Sequence, residues 1–207
     1  MSAEGSGLGP GDHPDRIRWN AKYASGFVPS CRRHPLAVRA LATVLPDGPV
    51  ADLACGPSGS ALLAAEQGRR VTAVDVSEVA LGLLGAEARR RGLDHLITLV
   101  HADLSGWALE PRSYALVLGI GFWDAAAFRA AAAAVSDGGL LAWEALTADA
   151  RRTHHGLPAE WCLKPGEPAS LLPPGFTVLD QSEIPARNRR RMLARRDHVP
   201  KGAGNDV

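Results

Sequence analysis

From about residue 49 to residue 146, apolar runs of strand length alternate with longer segments of helical character. This alternation predicts an α/β fold with a doubly wound, mostly parallel sheet covered on both faces by helices. Two local features sharpen the expectation. Val50-Ala51-Asp52-Leu53-Ala54-Cys55-Gly56-Pro57-Ser58-Gly59-Ser60-Ala61 reads as a buried strand, a glycine loop and a helix start. Val71-Thr72-Ala73-Val74-Asp75 then reads as a second strand ending in a carboxylate. An acid about 20 positions beyond such a loop is placed to bind a ribose.

Residues 1–13 are Gly/Ser/Pro/Asp-rich and read as a disordered leader, and 200–207 as a disordered tail. One domain is expected over 14–199, with its first helices within about 14–45. A helix over about 14–26 carries Trp19 and Tyr23 on one face at i, i+4. A second, over 34–45, presents Leu36, Val38, Leu41, Ala42 and Leu45, and Pro46-Asp47-Gly48 ends it. Strands follow near 49–54, 71–75, 96–101, 114–119 and 139–146, with helices near 58–67, 78–91 and 124–135. Ser77 suits an N-cap, and Glu78 complements the helix dipole. Gly82 and Gly85 inside that helix cost about 1 kcal/mol each relative to alanine, and close packing on the sheet is the reading they support. After Thr147 the chain turns irregular and Pro-rich through Pro174. Strands over 175–184 and 188–196, joined by a turn at Pro185-Ala186, complete the pattern.

Composition narrows the function classes. A net charge of +1 over 207 residues argues against a dedicated nucleic-acid binder. Cys31, Cys55 and Cys162 are odd in number and scattered, so neither a disulfide framework nor a zinc site is indicated. The leader lacks the apolar core of a signal peptide and no run reaches the length of a membrane span, so a cytoplasmic protein is expected.

The glycine loop disfavours a dinucleotide. Gly56-Pro57-Ser58-Gly59-Ser60-Ala61 lacks the G-x-G-x-x-G spacing, and Asp52 ahead of it would repel a pyrophosphate while suiting a cationic ligand. On these residues the chain resembles the class I S-adenosyl-L-methionine (SAM) dependent methyltransferases, whose first motif reads acid-x-Gly/Ala-x-Gly-x-Gly. Asp52, Ala54 and Gly56 match it; Ser58 stands at the third glycine, with Gly59 following. The resemblance implies a three-layer Rossmann-like fold whose seven-stranded sheet closes with a C-terminal antiparallel hairpin. It also implies SAM as cofactor and S-adenosylhomocysteine as product.

The same resemblance supplies roles. Asp75, with Val76 beside it, would hold the ribose, since a carboxylate has acceptors for two hydroxyls. Asp103-Leu104 would meet the adenine, Asp103 accepting from its amino group. Gly119-Ile120-Gly121 would approach the methionine part, and Phe122 and Trp123 would wall the substrate pocket. Arg18-Trp19-Asn20-Ala21-Lys22-Tyr23 resembles an element of small bacterial methyltransferases of the tellurite-resistance and thiopurine types, as do Leu163–Glu167 and Pro174–Val178 more weakly. Trp19 and Tyr23 then stand either as a lid over the cofactor or as packing residues.

The expected activity is methyl transfer from SAM to a small-molecule acceptor. A soft nucleophile needs no protein base; a hydroxyl or amine does, and Glu144, His154 and His155 are the candidates. Adjacent histidines point apart on a loop, which argues against a metal there. The arginine run from Arg187 to Arg196 reads as the solvated face of an edge hairpin, with an anion or RNA contact as the alternative. A non-catalytic SAM- or partner-binding protein of the same fold is the alternative, ahead of a nicotinamide-dependent oxidoreductase.

Overall fold

The structure is a computed structural model that describes residues 13–26, 28–107 and 109–198. The expected tail and nearly all of the expected leader lie outside the described residues. Along the chain run α1 (Pro14–Ala24), α2 (Pro35–Leu41), β1 (Val50–Leu53), α3 (Gly59–Glu66), β2 (Val71–Asp75), α4 (Glu78–Arg90) and β3 (Ile97–His101). Then come β4 (Tyr114–Ile120), α5 (Ala125–Ala134), β5 (Val135–Leu146), β6 (Phe176–Ile184) and β7 (Arg189–Arg196). The seven strands form one sheet in the order β3-β2-β1-β4-β5-β7-β6. β1 through β5 pair in parallel, and β7 runs antiparallel to both β5 and β6. The order reverses between β1 and β4, so ligands are expected at the carboxyl ends of those strands.

Both sheet faces are covered, which is why β1 is buried along its whole length. On one face Leu36, Leu41, Leu62 and Leu84 of α2, α3 and α4 pack onto Val50, Leu116 and Leu140. On the other, Phe128 of α5 packs with Trp123 and Trp143 over Leu53, Val117 and Leu141. Phe128 meets Trp143 edge-on at 5.2 Å between ring centroids, a favoured aromatic geometry. Side-chain caps set the helix starts. Ser77 accepts from the N–H of Ala80, Asp124 from that of Ala127, and His34 Nδ1 from that of Leu36. α2 stops at Leu41 rather than 45. No described helix is long and apolar enough to cross a membrane.

Two sequence expectations change. Gly85 does pack closely, since a Cβ there would meet Leu99 at 2.9 Å, but Gly82 has open space around it. The arginine run lies in a hairpin at the sheet edge, as expected, but from Arg189 onward it is partly or fully buried rather than solvated. β6 is the edge strand, and β7 lies inside the sheet. Its guanidinium groups bond backbone carbonyls: Arg190 those of Lys164 and Glu167, Arg195 those of Gly138 and Val44, and Arg196 that of Ala132.

Candidate active site

At the switch point, the loops after β1, β2, β3 and β4 enclose a cavity of about 290 Å³. Its wall is built from Ala54, Cys55, Gly56 and Pro57 after β1, Asp75 and Val76 at the end of β2, Ala102, Asp103 and Leu104 after β3, and Ile120, Gly121 and Phe122 after β4. α1 covers it with Trp19, Lys22 and Tyr23. A second cavity of about 430 Å³ adjoins it, sharing Asp15, Trp19, Lys22, Gly121, Phe122 and Arg189 and adding Arg18, Trp123, Leu146, Leu157 and Trp161.

The β1 loop turns sharply: Ala54 and Gly56 both adopt left-handed backbone, at φ 48° and 56°. The Gly56 N–H of this turn donates to Asp75 Oδ2 at 2.7 Å, and the Ser77 N–H, just after β2, donates to Asp75 Oδ1 at 2.8 Å. The carboxylate is 7 % exposed. Burial raises its pKa, and the two N–H donors work against that rise. A side chain at Gly56 would be strained by the left-handed backbone and would press on the Tyr23 hydroxyl, 3.0 Å from its Cβ. Burial, reinforced by Asp75 and Cys55, pushes the Tyr23 phenol up to about 12, so it stays protonated.

α1 contributes no residue to the buried core; polar ties hold it across the cavity. Arg16 pairs with Glu78 through both ends of its fork, Asn20 Oδ1 accepts from the Ser77 hydroxyl at 2.6 Å, and His13 Nε2 sits 3.5 Å from Asp103. The Arg16 bond draws the Glu78 carboxyl down to about 2. Trp19 and Tyr23 stack at 5.8 Å between ring centroids, as their i, i+4 spacing predicts. Asp103 accepts from both the N–H and the hydroxyl of Ser105. Burial pulls its pKa up, but those bonds and His13 outweigh it and hold the carboxyl below its ordinary value.

Of the residues expected at the cofactor, Trp19, Tyr23, Ala54, Gly56, Asp75, Val76, Asp103, Leu104 and Ile120 line the first cavity. Asp52 and Ser58 do not. The Ser58 hydroxyl donates to Asp52 at 2.5 Å while accepting from the N–H groups of Ser60 and Ala61. Asp52 is thus an internal brace for the start of α3, and burial pushes its carboxyl up to about 6. The glycine the motif places at 58 is displaced to 59 for a steric reason. A Cβ on Gly59 would fall 2.2 Å from the Arg32 carbonyl oxygen. Packing also requires glycine at 119, since its Cβ would enter the Trp143 ring at 2.6 Å.

The three base candidates lie off both cavities. His154 and His155 are exposed on the segment after β5. Glu144 is 2 % exposed and lies 3.5 Å from His34 Nε2 and 3.7 Å from Arg189 Nη1. Burial would raise its pKa, but the His34 hydrogen bond and the charges of His34, Arg189 and Arg191 prevail and hold it low. A carboxylate so held is a weak proton acceptor.

Several lining residues escape a reading by motif, among them His13, Asp15, Leu157, Trp161 and Arg189. Arg189 carried a signal nonetheless. A strand returning antiparallel beside β5 begins at the carboxyl end of β5, and Arg189 pairs with Leu146 there.

Comparison with known proteins agrees with this geometry. Residues 50–139 match the family model of a methyltransferase domain. A SAM-dependent methyltransferase from Mesorhizobium loti superposes with a TM-score of 0.61 at 21 % identity, covering 77 % of this chain and 96 % of that one. The CcbJ methyltransferase from Streptomyces caelestis gives 0.65 at 15 % identity, over 86 % and 96 %. Geranyl diphosphate C-methyltransferase from Streptomyces coelicolor, in complex with S-adenosyl-L-homocysteine, gives 0.60 at 14 % identity, over 79 % and 76 %. Among curated proteins, none matches this chain. Residues 50–139 thus match a methyltransferase domain, within a fold shared with these solved methyltransferases. The chain is accordingly a SAM-dependent enzyme of methyl transfer, built on a Rossmann-like sheet.

Proposed function

We propose that this enzyme methylates a small molecule taken up in the second cavity, with SAM held in the first. The observation that carries this reading is Asp75. Each of its oxygens already accepts one backbone N–H and retains capacity for one more donor, which suits the two hydroxyls of a ribose. Val76 and Leu104 offer apolar faces to a purine, and Asp103 an acceptor for its amino group. Ala54 and Gly56 present backbone to the amino-acid part. When bound, SAM supplies a methyl group on a sulfonium, an electrophile for a thiol, selenol, phenolate, amine or chalcogen oxyanion.

Trp19 and Tyr23 exclude water and fix the line of approach. Well-oriented reactions gain about 7–11 kcal/mol from positioning alone, and this reading assigns catalysis to that, not to Glu144, His154 or His155. The finer kinship, with the tellurite-resistance and thiopurine types, rests on the Arg18–Tyr23 segment standing over the cavity. Three free cysteines accord with a reducing cytoplasm.

A thermal-shift screen tests the assignment. SAM or S-adenosylhomocysteine at about 100 times its dissociation constant should stabilise the fold by about 2.7 kcal/mol, and NAD(P) should leave it unchanged. Binding without turnover, over a panel of thiols, phenols, amines and chalcogen oxyanions, would favour a non-catalytic binder instead.

A further inference from the structure

The second cavity has a chemical character of its own. Trp19, Phe122 and Trp161 make its walls aromatic, and its volume of about 430 Å³ lies in the range of small-ligand sites, about 300–1,000 Å³. Into it come the side chains of Arg18, Lys22 and Arg189, against one acid, Asp15.

The two guanidinium groups are oriented but not consumed. Arg18 lies over the rings of Trp19 and Trp161, 4.9 and 4.6 Å from their centroids. Its side-chain polar contact among the described residues is Asp15 at 3.3 Å. Arg189 reaches Glu144 only at 3.7 Å, beyond hydrogen-bond distance. Each guanidinium carries five donors in a flat fork that matches a carboxylate. The Lys22 ammonium sits 4.3 Å from the Trp19 centroid; burial first and the Arg18 charge second lower its pKa. The lining thus carries three cationic side chains against one acid, an excess that favours an anionic acceptor.

We propose that the methyl acceptor is a flat aromatic acid, its ring against Trp19, Phe122 and Trp161 and its carboxylate held by Arg18 and Arg189. This rests on the methyl-transfer reading above and adds the acceptor class. Arg189 arrives from the sheet and Arg18 from α1, so the acid also draws the helix onto the site.

Matched pairs of probes test this on S-adenosylhomocysteine-loaded protein: thiosalicylate against thiophenol, 4-hydroxybenzoate against phenol, and anthranilate against aniline. Quenching of tryptophan fluorescence reads binding, because two tryptophans at the cavity wall flank Arg18. The acid of at least one pair should bind about tenfold or more tighter than its neutral partner, the size expected of one charge-assisted contact. Arg18→Gln and Arg189→Gln should each narrow that gap, while Arg189→Lys retains part of it. Arg18 lies outside the first cavity, so calorimetric affinity of Arg18→Gln for S-adenosylhomocysteine should match wild type. Neutral partners binding as well as the acids in every pair, or a gap that survives both Gln variants, would overturn the proposal with the cofactor reading intact. Failure of wild type to bind S-adenosylhomocysteine would overturn both.

Discussion

Asp75→Asn removes one charge and one acceptor while keeping the side-chain shape. In the wild type its two oxygens take the Gly56 and Ser77 N–H groups at 2.7 and 2.8 Å. The amide offers only one oxygen, so one N–H faces another N–H, and a buried donor left unpaired costs about 1–3 kcal/mol. Relief from burying a charge offsets part of this in the free protein, because Asp75 is desolvated enough to raise its pKa. No such relief applies to the ribose contacts. Hydrogen bonds to a charged acceptor contribute about 1.5–3 kcal/mol each, so weakening them should lower SAM affinity by one to two orders of magnitude. Titration calorimetry with S-adenosylhomocysteine measures this, and urea unfolding of the same sample separates it from loss of fold. A folded variant with wild-type affinity would remove Asp75 from the cofactor site and leave it a loop brace.

Asp52→Asn tests the brace beneath the loop. The wild-type carboxyl titrates at about 6 in the fold and about 3.9 unfolded, so the folded state holds the extra proton between these values. Stability contributed by that proton is present below about pH 4 and is lost as pH rises through about 6. The amide still accepts from Ser58, so the variant should be more stable than wild type at pH 8, by about 2–3 kcal/mol at most, with the gap closing toward pH 4. Melting curves over that range check it, and a less stable variant at pH 8 contradicts it. Gly82→Ala, on the exposed face of α4 with nothing near the added Cβ, should stabilise by up to about 1 kcal/mol and raise the melting temperature by about 2–4 °C. An unchanged or lower value counts against this account of Gly82. Removing residues 1–26 takes away α1, which buries nothing in the core. The sheet should keep its melting temperature within a few degrees while SAM affinity and turnover per folded molecule fall sharply. A large drop in stability with normal turnover would mean that Trp19 and Tyr23 serve packing instead.

What the sequence carried was local. The apolar runs of β1 to β5, the caps at Ser77 and Asp124 and the glycine loop with its distant acid all follow from rules spanning one or two elements. Roles that depend on an unseen neighbour were not legible. Ser58 looked like a defect in a glycine motif until Arg32 proved to occupy the space beside Gly59. Asp52 looked like a ligand group until Ser58 proved to be its partner. Gly119 looked open to cofactor, and Trp143, 24 positions on in sequence, fills the space a Cβ would take. In each case a small or acidic residue was read rightly as exceptional, and its reason lay across the fold.

Arg189 shows the opposite case, a functional placement that topology alone determines. Parallel strands β1, β2 and β4 all point their carboxyl ends at the first cavity. A strand added antiparallel beside β5 must present its first residue there and its last at the far end. The eight residues of β7 begin with Arg189 opposite Leu146 at the site and continue to Arg195 opposite Leu140. Arginines of the same run therefore have different tasks. Those at the far end bond the carbonyls of Gly138, Val44 and Ala132, while the first stands at the boundary of the two cavities. Composition makes the run look uniform, but the antiparallel register divides it, and of its arginines the one beside Leu146 lines the cavities.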